Sequence, residues 1–277
     1  MDTSSSVRDG SPLVTTAIAV GLAIFGIAAT QLTTLPAFLM DPALLTSPAD
    51  ASIAARTALM VLNFLGFALA GGIYLAATDR GWAYVDWRTP TKRGWLYVLA
   101  GIVGSIAFYV VVSLLIQTLS LPTTENQVME YIAGDQTMIL VMILIVFFFN
   151  APAEEFLFRN VIQKRLYAAF SRYQAVAVAS LIFALVHVPA YLAATGDLLS
   201  IGPEALLASA VSLAVVFGGS LIFGYLYAET DNLVVPTAAH AAFNAFQFGL
   251  LYLALEFDLE VADPAQSVVV DLVFVLS

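Results

Sequence analysis

The chain has 277 residues, 61% of them hydrophobic and only 11% charged, whereas a soluble domain carries about 25% charged residues, so an ordinary water-soluble globule is excluded. The formal net charge of −10 argues against nucleic acid as a partner, because phosphate binding needs a basic face. With no cysteine, neither disulfides nor thiolate chemistry is available.

The apolar residues fall in long blocks separated by short polar stretches, as spans of ~20 residues require. In chain order, spans are expected at about 13–32, 53–77, 95–119, 138–158, 175–194, 205–228 and 233–255. The first is expected to be retained rather than removed as a signal peptide, since no small-residue cleavage site follows it. An apolar tail at 267–276, interrupted by Asp271, is a candidate for an eighth, incomplete or re-entrant segment. The expected fold is all-α: a polytopic transmembrane helical bundle of about seven or eight spans, forming a single membrane domain over 1–277.

Charge placement gives an orientation. Arg80, Arg88, Lys92 and Arg93 lie between spans two and three, and Arg159, Lys164, Arg165 and Arg172 between spans four and five. Those two loops share one side, and the opposite side carries Asp41, Asp50, Asp135 and Glu256, with Glu125, Asp197, Asp258 and Glu260. Basic loops face the cytoplasm, so the expectation is a multi-pass cell-membrane protein with a cytoplasmic N-terminus. Arg56, near the outer end of span two, disagrees.

Ionisable residues inside spans are costly and mark function by default. Three places qualify: Glu154, Glu155 and Arg159 at the end of span four, His187 in span five, and His240 with Asn244 in span seven. His187 and His240 are the only histidines in the chain. Glu155 and Arg159 are four apart and share a helix face, so they can neutralise each other. Glu154 is rotated by ~100° and is free to face another helix. Phe183 and His187, and likewise His240 and Asn244, repeat the four-residue spacing. Each element alone has an ordinary structural explanation: an interfacial carboxylate pair, a topological arginine, a packing histidine, an inter-helix amide. Together they offer a carboxylate, two imidazoles and a carboxamide from three helices. A carboxylate can serve as general base toward water, and an imidazole and a carboxamide can donate hydrogen bonds to a developing oxyanion. That is an outline of amide hydrolysis without a Ser or Thr nucleophile. No G-x-S-x-G, H-E-x-x-H or P-loop occurs.

At these residues the sequence resembles the CAAX protease and bacteriocin-processing family of intramembrane glutamic endopeptidases. The E-E-x-x-x-R motif is Glu154, Glu155 and Arg159, F-x-x-x-H is Phe183 and His187, and H-x-x-x-N is His240 and Asn244. The run Gly224-Tyr225, Thr230 to Leu233 and Pro236 is similar to the stretch that the family places before its last motif. The resemblance covers about 147–248. It implies that Glu154 activates water, helped by His187, that His240 and Asn244 form the oxyanion site, that Glu155 and Arg159 organise them, and that Phe183 shapes the pocket. It implies catalytic core helices within 137–250, no cofactor, no metal, and a membrane-associated or lipidated peptide or protein substrate. The cavity is expected to open toward the cytoplasm or laterally to lipid. Two other readings stand beside it: a zinc protease, since two His and one Glu make a legitimate zinc set, although the spacing matches no zinc motif, and a non-enzymatic scaffold, immunity or transport protein.

Overall fold

A computed structural model describes residues 10–124, 128–194 and 202–257. The tail at 267–276, and Glu125, Asp197, Asp258 and Glu260, lie outside the described residues. Among those described, the structure is helical without strands, and seven helices are long and apolar enough to cross a membrane. They are α1 (Pro12–Met40), α2 (Ile53–Ala77), α3 (Lys92–Leu119), α4 (Gln136–Leu166), α5 (Arg172–Leu192), α6 (Pro203–Thr230) and α7 (Val234–Glu256).

Two helices outrun the expected spans. α1 continues to Met40 through the polar Thr30–Thr34 stretch and Pro36, because the threonine hydroxyls return their protons to carbonyls of their own helix (Thr34 Oγ1 to Thr30 O, 2.9 Å). α4 continues to Leu166, well past Phe158. Its charges do not end the helix because Glu155 and Arg159 are fully buried and paired, 2.9 Å apart.

Lipid tails are as apolar as leucine, so these helices adhere by close approach and polar contacts rather than by hydrophobicity alone. α1 presents Ala19, Ala23, Gly26 and Ala29 inward. Gly66 of α2 lies so close to α1 that a Cβ would stand 2.5 Å from Thr30 Cα. Gly218 of α6 receives the Phe108 ring of α3 in the same way, with a Cβ falling 2.3 Å from its tip. Leu96, Leu99 and Val103 of α3 remain exposed on the outside, where the bilayer covers them.

The two ends differ in their polar ties. On the basic-loop end, the Gly10 amide donates to Ala168 O at 3.3 Å and sets the start of α1 beside the α4–α5 turn. The Asp86 carboxylate accepts from Lys164 Nζ at 2.7 Å and from Tyr227 Oη at 2.6 Å, its amide donates to Asn160 Oδ1 at 2.9 Å, and its carbonyl accepts from Leu233 N at 2.9 Å. One loop residue therefore ties α4, α6 and the start of α7 together. Arg172 and Arg88 complete the closure through the Asp231 carboxylate and carbonyl. On the opposite end, Arg56 is 4% exposed and donates to Asp135 Oδ2 at 2.8 Å and Tyr131 O at 2.9 Å. Its charge is neutralised by the segment it clasps, which explains a basic residue on the acidic side.

Candidate active site

The site forms around an irregular stretch of α4. Pro152 has no amide hydrogen and crowds the carbonyl four residues before it, so a regular α-helix cannot pass through it unchanged. The chain widens to π-helical turns at Val146–Asn150 and again at Phe156–Gln163, leaving Ala151–Glu155 as one α-helical turn between them. Such turns concentrate at functional sites because they re-aim side chains within a helix. Here they flank Glu154 and Glu155.

The two glutamates face different ways. Glu155 is fully buried; its Oε2 accepts from Arg159 Nε at 2.9 Å and its Oε1 accepts from His240 Nδ1 at 3.0 Å. Arg159 is held by Ser220 Oγ of α6, 3.0 Å from Nη2, and its guanidinium lies 5.3 Å above the Phe183 ring. Glu154 lines a cavity of about 460 Å³ together with His187, His240, Asn244 and Phe183, whereas Glu155 and Arg159 stand behind its wall. His240 Nε2 is 3.9 Å from Glu154 Oε2, so one imidazole bonds to Glu155 and lies beside Glu154. Phe223 of α6 stacks on that imidazole at 4.6 Å and 15°.

His187 sits at a break in α5. The helix runs from Arg172 to Leu185 and resumes at Val188–Ala194, because Pro189 cannot supply the amide that Leu185 O would accept. The His187 amide turns to Ala184 O at 3.0 Å. This frees Phe183 O, which then accepts from His187 Nδ1 at 2.8 Å. A carbonyl only accepts, so Nδ1 carries the hydrogen and Nε2 keeps its lone pair. Asn244 Nδ2 donates to Asn150 Oδ1 at 2.9 Å, leaving its second amide hydrogen uncommitted. Among the described residues, no group of three or more His, Cys, Asp or Glu side chains is arranged to hold a metal ion.

Residues 136–246 match the family described as Rce1-like, type II CAAX prenyl endopeptidase Rce1-like. The match covers less than half of the chain and supports assigning that segment to the CAAX protease and bacteriocin-processing family. In general terms the match supports a CAAX-type intramembrane endopeptidase, and the apolar helices imply a lipid bilayer around it. No curated protein and no solved structure matches the chain significantly.

Against the family's three motifs, all seven motif residues come together from α4, α5 and α7. Three further residues escaped the motif reading: Asn150, Ser220 and Phe223. Asn150 left a trace, a carboxamide four residues before Glu154 in an apolar run. Ser220 and Phe223 left none, since a serine and a phenylalanine in a span are ordinary. Gly224 gains a physical reason. A Cβ there would stand 3.0 Å from Gln163 Oε1 and 3.5 Å from Arg159 Nη1, so glycine lets α6 approach the arginine.

The cavity does not extend toward the basic loops. Its α4 wall is Met142, Val146, Asn150, Glu154 and Phe158, and its α7 wall begins at His240 and runs on to Phe248. Glu154, His187, His240 and Asn244 thus occupy the end nearer the basic loops, where the Asp86 ties close the bundle, and the space continues away from them to Val128 and Tyr131. From the groups it encloses, the described cavity thus runs away from the basic loops. Gln31 and Pro189 are exposed at its wall between α1 and α5, in keeping with the lateral alternative.

Proposed function

We propose that the chain cleaves a peptide bond with water activated by Glu154, independently of metal. The observation that carries this reading is the division between the two glutamates: Glu155 is consumed by Arg159 and His240, while Glu154 faces the cavity with His187 and Asn244. The His187 Nε2 lone pair accepts one hydrogen of the water, and Glu154 removes the other proton as the oxygen attacks the carbonyl carbon. The carbonyl becomes an oxyanion, which receives the free Asn244 amide hydrogen and a hydrogen from His240 Nε2. With Nδ1–H already given to Glu155, Nε2 donates only when His240 is imidazolium, and Glu155 is its counter-charge. Collapse breaks the carbon–nitrogen bond, and Glu154 returns its proton to the leaving amine.

The catalytic core is placed at 137–250, and the site residues are Glu154, His187, His240 and Asn244, supported by Glu155, Arg159 and Phe183. The basic loops, and with them the N-terminus, are placed in the cytoplasm by the positive-inside rule. The substrate is a membrane-associated or lipidated peptide or protein.

The test is cleavage of quenched peptides by purified protein in liposomes, using prenylated and unprenylated C-terminal CAAX sequences. Glu154→Gln is expected to lower turnover by at least about 10²-fold, His187→Ala by a similar factor, and a strong chelator to leave wild-type turnover unchanged. Turnover surviving Glu154→Gln refutes the glutamate mechanism, and loss of turnover to the chelator refutes metal independence.

A further inference from the structure

All the charged groups of the cavity sit at one end. Beyond Glu154, His187 and His240, the described residues lining it toward Val128 and Tyr131 include no Asp, Glu, Lys, Arg or His. It is not simply apolar. Gln31 of α1, Asn63 of α2, Asn150 of α4 and Gln247 of α7 line it, with Thr30 and Thr34 on the same face of α1. Four carboxamides from four membrane helices surround one space.

Two of these groups have hydrogen-bonding capacity to spare. The side chains of Gln31 and Asn63 hydrogen-bond to no described residue, while Gln247 Nε2 is buried beside the Tyr109 hydroxyl without a well-formed hydrogen bond. Thr30 and Thr34 send their protons to Ile27 O at 2.8 Å and Thr30 O at 2.9 Å, so their oxygens are left as acceptors. An uncommitted carboxamide inside a membrane helix is costly unless something pairs with it. A carboxamide both donates and accepts, which is the complement of a peptide group. A polypeptide in extended form inside the membrane needs such partners, because no water or neighbouring strand satisfies its backbone there.

We propose that this amide-lined trough binds an extended, uncharged stretch of the substrate polypeptide, on one side of the scissile bond, entering from the membrane half opposite the basic loops. The proposal rests on reading Glu154 as the reacting end. From Met142 to Glu154 the α4 wall is about 18 Å long at about 1.5 Å per residue, which accommodates about five extended residues. A charged side chain in this stretch would meet no counter-ion among the described residues, so the trough selects for neutral sequence. An acyl chain is the poorer occupant, since it leaves the Gln31 and Asn63 carboxamides unpaired.

Two measurements test this, and the first does not depend on catalysis. The chain has no cysteine, so Gln31→Cys and Asn63→Cys, each in Glu154→Gln protein, report on the trough alone. In vesicles of known orientation, both thiols are expected to react with a charged, membrane-impermeant thiol reagent added on the side opposite the basic loops. A neutral ten-residue peptide containing the cleaved sequence is expected to slow that reaction at least about fivefold. Reaction from the basic-loop side only, no reaction at all, or no protection by peptide would overturn the proposal, the second pointing to lipid in the trough. The second measurement is kcat/KM for neutral peptides lengthened residue by residue on each side of the cleaved bond. Extension on one side is expected to raise it about tenfold or more, Asn63→Leu to remove most of that gain, and a Lys or Glu within the extension to cancel it. Equal values at all lengths would overturn the proposal while leaving the glutamate mechanism standing, and survival of turnover in Glu154→Gln would do the reverse.

Discussion

Glu155 Oε1 and His240 Nδ1 lie 3.0 Å apart, and this contact decides what the other nitrogen of the imidazole can do. The same carboxylate holds Arg159, so a single buried group organises a cation from its own helix and an imidazole from α7. Glu155→Gln would still accept the Nδ1 hydrogen but would leave the buried Arg159 guanidinium without its counter-ion. Turnover is expected to fall by about 10²–10³-fold and stability in detergent by about 3–5 kcal/mol. Adding Arg159→Met is expected to restore part of the stability and none of the turnover. A double variant no more stable than the single one would refute the coupling.

Asn150 accepts from Asn244 at 2.9 Å and thereby sets where the second amide hydrogen of Asn244 points. Asn150→Ala removes that acceptor at little cost in packing. The expected result is a kcat lower by about 10–100-fold, since small misplacements are amplified in this way, with a smaller rise in KM because Asn150 also lines the cavity. A change confined to KM would limit Asn150 to substrate binding.

The α1–α2 contact depends on the missing side chain of Gly66, whose Cβ would fall 2.5 Å from the Thr30 backbone. Gly66→Ala is expected to cost about 1–3 kcal/mol, the range for forcing extra volume into a packed contact. Gly21 has nothing within 4 Å of its would-be Cβ, and Gly21→Ala is expected to be neutral or to stabilise by up to about 1 kcal/mol. Equal effects in thermal unfolding would show that helix propensity, not close approach, governs both.

The clasp on the acidic end should be visible in acid. Burial works to raise the Asp135 carboxyl, but the Met138 amide, the Arg56 guanidinium and the Thr137 amide together hold it below its ordinary value. A carboxylate depressed in the folded state contributes stability that is complete above the unfolded value of about 3.9 and fades as pH falls through the folded one. The melting-temperature gap between wild type and Asp135→Asn is therefore expected to be flat above pH ~5 and to close progressively below pH ~4. A gap unchanged down to pH ~3 would show that the clasp does not depend on the charge.

The seven described spans, the helical class and the three motifs were legible in the sequence because each is a local property: an apolar run of sufficient length, or polar residues four apart. The separate duties of Glu154 and Glu155 were partly legible, since adjacent residues on a helix face different ways. What the sequence hid was set by neighbours distant along the chain. Ser220 and Phe223 act only because Gly224 brings α6 against Arg159. The break that frees Phe183 O for His187 follows from Pro189, whose presence made the local backbone uncertain rather than predictable. Arg56 contradicted the charge rule until Asp135 and Tyr131, some eighty residues on, were seen to enclose it. The direction of the cavity depends on which helix ends are tied, and Asp86, an unremarked loop acid, does that tying.

The loop around Asp86 carries one more implication. Lys164, Arg88 and Arg172 belong to the charge bias that decides which way round the chain is threaded into a bilayer, and the same three side chains are spent fastening the floor beneath the reacting centre. Insertion and enclosure are thereby yoked. A lineage that reversed its topology by shedding these charges would unseal its own active site, so a flipped, working descendant would have to rebuild that floor from uncharged residues first.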